Sequence, residues 1–289
     1  MKIVIIGAGG RLGGALARYF RDRHEVVAFG RKALDLAWPE MIDDRLLPIE
    51  FDVVVNAAAL TSVDACEARK EEAYEVNAAG PGRVADLCAH RESRMVLVST
   101  DYVYEGSAKG RKTEESPTDP LGVYAKTKLA GEEEVLEASD RHLVLRTAWV
   151  FGPDRPSFVD SILKRAATTP EIAAIDDKFS SPIYSADFGP HLELLLERKA
   201  SGVINVCNDG ACSWREFGAE ALEIGRSLGL PSRASSLGAQ KLADMSAFVA
   251  QRPVHTAMSV EKLARVTGQR PRSWEEALRD YLETFYVKA

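Results

Sequence analysis

Cysteine is scarce and unpaired. Cys66, Cys88, Cys207 and Cys212 show no CxxC spacing in 289 residues, and the five histidines, His24 and His255 among them, do not cluster beside them. A metal centre built on Cys and His therefore lacks a ligand set, so no metal is expected and the thiols read as small buried hydrophobes. A long apolar run is also missing at the N-terminus. MKIVIIGAGG holds one lysine and a short hydrophobic stretch that glycines interrupt, which fits neither a signal peptide nor a membrane-spanning helix, so a cytoplasmic protein is expected. Nor is there an excess of positive charge. A formal net charge of -6 argues against nucleic acid or an anionic membrane as the main partner, because either needs a concentrated basic surface. No internal repeat or low-complexity tract is found.

What is present is the composition of an ordinary globular chain, 46% apolar and 28% charged, able to bury a sizeable core. The length suits one large α/β domain or a domain with a small appendage. Short apolar, mostly β-branched runs at residues 3–6, 26–29, 53–55, 95–98 and 143–145 read as buried strands. Helical patterns such as 11–23 and 73–89 lie between them, the signature of a parallel sheet with flanking helices. From Phe151 onward, Pro153, Pro156, Pro170 and Pro182 break the period. A strand at 202–207 is expected to return to the sheet, and helices are expected near 213–228, 259–266 and 274–285. The expectation is a Rossmann-type, doubly wound parallel sheet over 1–150 with a return segment at 186–206. A smaller substrate-binding region would then comprise 151–185 and 207–289.

Gly7, Gly10 and Gly13 follow the first strand and open the first helix, spaced GxxGxxG. In that context glycines permit a tight turn and let a pyrophosphate approach main-chain N–H groups at a helix N-terminus. Arg11 and Leu12 lie within this turn. The second strand ends in Phe29-Gly30-Arg31-Lys32, where an acidic residue would select a ribose 2′-hydroxyl. Arg31, with Arg11 and Lys32 nearby, suits a 2′-phosphate instead, so NADP(H) is favoured over NAD(H), which the fold also admits. A solvated surface pair is the plain alternative. Asp35 and Leu36 are expected to join the cofactor contacts.

Tyr124 and Lys128 are four residues apart in a stretch of helical character, which puts phenol and ammonium on one face. A lone phenol is a poor proton source near neutrality, and a neighbouring cation is expected to stabilise its phenolate. A strand ending in Val98-Ser99-Thr100 precedes the pair, so its C-terminal end opens toward the cofactor crevice and brings Thr100 beside Tyr124.

Taken in order, these segments resemble the dTDP-4-dehydrorhamnose reductase family: Asn56-Ala-Ala-Ala59, Val76-Asn77-Ala78, Ser99-Thr-Asp-Tyr-Val-Tyr104, Pro120-Leu-Gly-Val-Tyr124, Lys128-Leu-Ala-Gly-Glu132 and Arg146-Thr-Ala-Trp-Val-Phe-Gly152. Ser213-Trp-Arg-Glu-Phe217, Arg252-Pro253 and Ser259-Val-Glu-Lys-Leu263 resemble its C-terminal signatures. The resemblance implies an extended short-chain dehydrogenase that reduces the C4 ketone of a nucleotide-linked 4-keto-6-deoxysugar with NAD(P)H. It further implies Thr100, Tyr124 and Lys128 as the catalytic triad. Ala57, Ala58, Ala59, Thr61 and Thr147 would lie against the cofactor, and Asp101, Tyr102, Trp149 and Arg252 against the substrate. Asn77 would support the site. Trp149 and Trp214 also fit as core aromatics, Asp101 as a turn or cap residue and Arg252 as a surface arginine.

Two departures from the family pattern fall where contacts are expected. Ser157 stands before Phe158-Val159 in place of the usual Asn, and Asp177-Lys-Phe-Ser-Ser-Pro-Ile183 replaces Asp-Gln-x-Gly-x-Pro-Thr. They bear on which sugar is taken. A related epimerase or dehydratase is the runner-up, although Asp101 is followed by Tyr102 and no acidic pair follows Thr100. A non-catalytic NADP-binding subunit, like that of methionine adenosyltransferase, is a third reading, since fold does not determine function. The sequence admits a homodimer.

Overall fold

The apolar runs pair into one central sheet in the computed structural model, which describes residues 1–287. Its first half comprises β1 (Lys2–Ile6), α1 (Arg11–Arg21), β2 (Glu25–Phe29), α2 (Pro39–Leu46), β3 (Val53–Asn56), α3 (Val63–Ala68), α4 (Lys70–Tyr74), α5 (Gly80–His90), β4 (Arg94–Thr100), α6 (Gly122–Ala138) and β5 (Leu143–Thr147). There follow β6 (Val150–Phe151), α7 (Phe158–Thr168), β7 (Ile172–Ile175), β8 (Phe179–Ser180), β9 (Ile183–Tyr184), α8 (Ser185–Glu197), β10 (Gly202–Asn205), β11 (Cys212–Ser213), α9 (Trp214–Ser227), β12 (Leu237–Gln240), α10 (Glu261–Thr267) and α11 (Trp274–Leu282).

The main sheet has the order β2-β1-β3-β4-β5-β10, with every pairing parallel. Alternate residues of each strand face opposite layers. Ile3, Ile5, Val53 and Val55 pack with Leu16 and Phe20 of α1 and Phe188 and Leu192 of α8. Val4, Ile6, Val54 and Leu97 pack with Val84 and Leu87 of α5 and Val135 of α6. The direction of strand progression reverses between β1 and β3, and in such sheets ligands bind outside the strand C-termini at that point. A third cluster, including Val159, Ile162, Phe217, Leu222, Leu237 and Leu278, is built from the later segments.

The helix expected over 73–89 is instead α4, a π turn at Glu75–Ala79 and α5. The Gly80 N–H reaches back to Glu75 O, and Pro81 has no N–H with which to resume the regular ladder. Helices α7 and α8 were not expected. Pro156 lies just before the first and Pro190 inside the second, so proline masked both. The returning strand is shorter than expected, ending at Asn205. All four cysteines are buried and free. Among the described residues, no helix is long and apolar enough to cross a membrane, and no group of three or more His, Cys, Asp or Glu is disposed to hold a metal.

Candidate active site

A cavity of about 750 Å³ opens at the C-terminal ends of β1, β3, β4 and β5. Its floor is set by close main-chain approach. Gly7 has φ +86°, and a Cβ there would lie 2.6 Å from Ala58 N. A Cβ on Gly13 would lie 2.2 Å from Gly7 O, so Gly13 allows α1 to pack on the turn and does not itself line the cavity. The first turn of α1 has no side-chain cap and no acidic residue, which leaves its unpaired N–H groups free for an anion.

Gly7, Gly10, Arg11, Leu12, Arg31, Asp35, Leu36, Ala57, Ala58, Ala59, Thr61 and Thr147 line this cavity, as do Thr100, Asp101, Tyr102, Tyr124, Lys128 and Trp149. Arg11 spends its guanidinium on the main-chain oxygens of Val150 (2.8 Å) and Pro156 (2.6 Å), and so is not free for the 2′-phosphate role considered from the sequence. Arg31 is exposed and pairs with Asp35 at 3.0 Å and Glu72 at 3.1 Å. Arg155, which the sequence reading missed, also lines the cavity and donates to Gly9 O at 2.7 Å. It lies in an irregular proline-rich turn that carries no motif signal.

Arg252 differs most from expectation. It is absent from the cavity lining, donates from Nη2 to Asp64 Oδ2 at 2.6 Å and stacks on Phe248 at 3.7 Å. Asp64 also accepts from the main-chain N–H groups of Val249 and Ala250, each at 2.9 Å. Arg252 therefore fastens the 248–252 segment to α3.

Tyr124 and Lys128 project from α6 into the buried end of the cavity. The Lys128 ammonium donates to Val98 O at 2.8 Å, and burial lowers its pKa to about 8 against the opposing pull of Glu132. Glu132 is itself held by Arg146 at 2.6 Å in a buried pair. Burial raises the Tyr124 phenol to about 12, with hydrogen bonding to Thr100 opposing and the Asp101 carboxylate adding to the rise. The lowering expected from Lys128 is absent: burial sets the direction of the shift, and the Lys128 ammonium is engaged by Val98 O. The phenol is thus held in the protonated form.

Asp101 is buried, and both of its oxygens are occupied. Oδ1 accepts from Thr100 Oγ1 at 3.3 Å, and Oδ2 accepts from Ser180 Oγ at 2.7 Å and from Thr256 Oγ1. Tyr102 meets Tyr124 edge-on at 6.0 Å. Asn77 is fully buried; its amide bonds Leu60 N at 2.8 Å, Leu60 O at 3.2 Å and Thr127 Oγ1 at 3.1 Å. It ties the loop after β3 to α6, a supporting place. Trp149 has φ +41°, a strained conformation for a large side chain, and packs against Trp214 and Phe217.

A family model described as "RmlD substrate binding domain" matches residues 1–287. The chain is similar to the spore coat polysaccharide biosynthesis protein SpsK of Bacillus subtilis, with 33% identity over 98% of this chain and 97% of that one. It is 34% identical to a dTDP-4-dehydrorhamnose reductase of Mycolicibacterium smegmatis, over 96% of this chain and 84% of the relative. Among solved structures, the dTDP-4-dehydrorhamnose reductase of Bacillus anthracis in complex with NADP superposes with a TM-score of 0.90 at 26% identity, covering 98% of this chain and 99% of that one. With the match running through the glycine turn, the tyrosine–lysine helix and the C-terminal segments alike, the chain belongs to the dTDP-4-dehydrorhamnose reductase family, whose members are oxidoreductases of the extended short-chain dehydrogenase fold.

Proposed function

We propose that this protein reduces the C4 ketone of a nucleotide-linked 4-keto-6-deoxysugar with NADPH, and that Tyr124 supplies the proton. The observation that carries this reading is the meeting of Tyr124 and Thr100 at the buried end of a dinucleotide-sized cavity, with Lys128 one helical turn along α6. The phenol is neutral at working pH, and the groups around it must stabilise the phenolate that forms when it gives up its proton.

The cofactor, when bound, supplies the hydride for the carbonyl carbon. The residues do the rest. Tyr124 Oη gives its proton to the carbonyl oxygen, which becomes the alcohol, and the phenolate left behind faces the Lys128 ammonium and the Thr100 hydroxyl. The Gly7–Gly10 turn and the α1 N-terminus suit the diphosphate, with Arg155 adding positive charge at the Gly9 end. Arg31 suits the 2′-phosphate of NADP(H), exchanging its present carboxylate partners for a phosphate. In this reading residues 1–150, with the return segment 186–206, hold the dinucleotide, and 151–185 with 207–289 hold the nucleotide sugar. The similarity to the B. anthracis complex with NADP supports the cofactor choice.

The test is NADPH oxidation by purified protein offered a panel of freshly made nucleotide-linked ketosugars. Turnover with a dTDP-4-keto-6-deoxysugar is the expected result. Binding of NADPH without oxidation for any member of the panel would sink the reading.

A further inference from the structure

Lys178 is fully buried and no part of the chemistry above uses it. It stands where the family pattern has Gln, two positions before Ser180, where that pattern has Gly. The structure brings both departures into one buried cluster, Ser180 against the Asp101 carboxylate and Lys178 against the neighbouring Tyr102 ring. Ser180 Oγ donates to Asp101 Oδ2 at 2.7 Å. The Lys178 ammonium lies 4.5 Å from the centre of the Tyr102 ring and donates to Pro253 O at 2.6 Å. One carbonyl and one aromatic face leave a fully buried ammonium short of partners. The charge it senses most strongly is the Asp101 carboxylate. Asp101 in turn is buried with three hydroxyl donors and, among the described residues, no cation within ion-pair distance.

We propose that Lys178 is a positioning residue, its ammonium serving as the counter-charge of the buried Asp101 carboxylate, whose hydrogen bonds fix the Thr100 hydroxyl beside Tyr124. The inference rests on the reductase reading only for its kinetic consequence. Burial pushes the Asp101 carboxyl up and Lys178 pulls it back. Burial also lowers Lys178 to about 8, with Asp101 opposing and Arg252 adding to the fall. The other titratable groups facing this pair are Tyr102, Tyr124, Cys207 and His255. Without the cation, Asp101 takes up a proton at higher pH. A protonated Asp101 no longer offers Thr100 a charged acceptor, and the hydroxyl loses its fixed direction.

The experiment uses Lys178→Gln, which keeps length and a donor for Pro253 O while removing charge, with Lys178→Met as a second variant and thermal unfolding as the check on folding. Infrared difference spectra against Asp101→Asn follow the protonated carboxyl band of Asp101 with no substrate present. The expected result is about tenfold tighter proton binding or more in Lys178→Gln. An unchanged Asp101 titration would overturn the proposal. In ketosugar reduction, kcat at neutral pH falls about tenfold with the KM for NADPH unchanged, the acid limb of the pH profile rises, and Lys178→Gln adds nothing in an Asp101→Asn background. A loss confined to KM, or full additivity, contradicts the positioning role. A shifted carboxyl titration in a protein that reduces no ketosugar would keep the pair and remove the reductase reading.

Discussion

Lys128 donates from Nζ to the main-chain oxygen of Val98 at 2.8 Å, so the ammonium is pinned at the end of β4 that also carries Thr100. Its pKa of about 8 is a consequence of burial and sets a pH dependence. In the proposed reaction the cation facing the developing phenolate is present below about pH 8 and lost above it. Initial-rate profiles of ketone reduction are expected to fall through that pH. Lys128→Met should be slower by about two orders of magnitude and lack the limb.

Stability has the opposite sign. An unfolded lysine ionises near ~10.4, so between about pH 8 and that value the unfolded chain binds more protons and stability rises with pH. Urea midpoints measured across this window should climb in the wild type by more than in Lys128→Met. Parallel curves would show that the buried lysine is not the cause.

Arg31 pairs with Asp35 and Glu72 at the cavity mouth, and its value to the proposed reaction lies in a 2′-phosphate. Arg31→Ala is expected to lower kcat/KM for NADPH by about ten- to a hundredfold, the range of a charge-assisted contact, while leaving NADH nearly unchanged. Equal losses with both cofactors would place the arginine outside cofactor selection.

The Glu132–Arg146 pair is 2% and 5% exposed at its side chains, and Arg146 also lies over the Tyr104 ring at 4.8 Å. Removing one partner strands a buried charge. Glu132→Ala should destabilise by about 3–5 kcal/mol, read from denaturant unfolding, and a loss under ~1 kcal/mol would mean that water reaches Arg146.

Asp64 is held to about 2 by its hydrogen bonds from Arg252 and the Ala250 N–H. Because the two side chains make one contact, Asp64→Asn and Arg252→Ala are expected to speed limited proteolysis within 245–252 several-fold and to raise the substrate KM equally. A KM effect in Arg252→Ala alone would return that arginine to direct contact with the substrate.

The fold was largely legible because its first half repeats a simple grammar: apolar strand, glycine turn, amphipathic helix. The five strands of that half were found within a few residues, and that Tyr124, Lys128 and Thr100 share one cavity was legible from spacing and from position after a strand. What was not legible depends on contacts far apart in the chain. No local pattern shows that Asp64 captures Arg252, that Arg11 is spent on carbonyls, or that burial raises the Tyr124 phenol. Lys178 did leave a mark, as a departure from the family pattern, but its proposed role required seeing that residues 180 and 256 meet on Asp101 while Lys178 packs on the neighbouring Tyr102 ring. Proline misled in the second half, where Pro190 sits inside a helix that local rules would break.

The most direct test of the central claim compares wild type with Tyr124→Phe. The substitution removes one hydroxyl and leaves the ring against Tyr102. NADPH oxidation driven by a dTDP-4-keto-6-deoxysugar should fall by about 10²- to 10⁴-fold, with NADPH affinity and thermal unfolding close to wild type. Turnover that survives the substitution at near wild-type rate would contradict the account and assign the proton to another group.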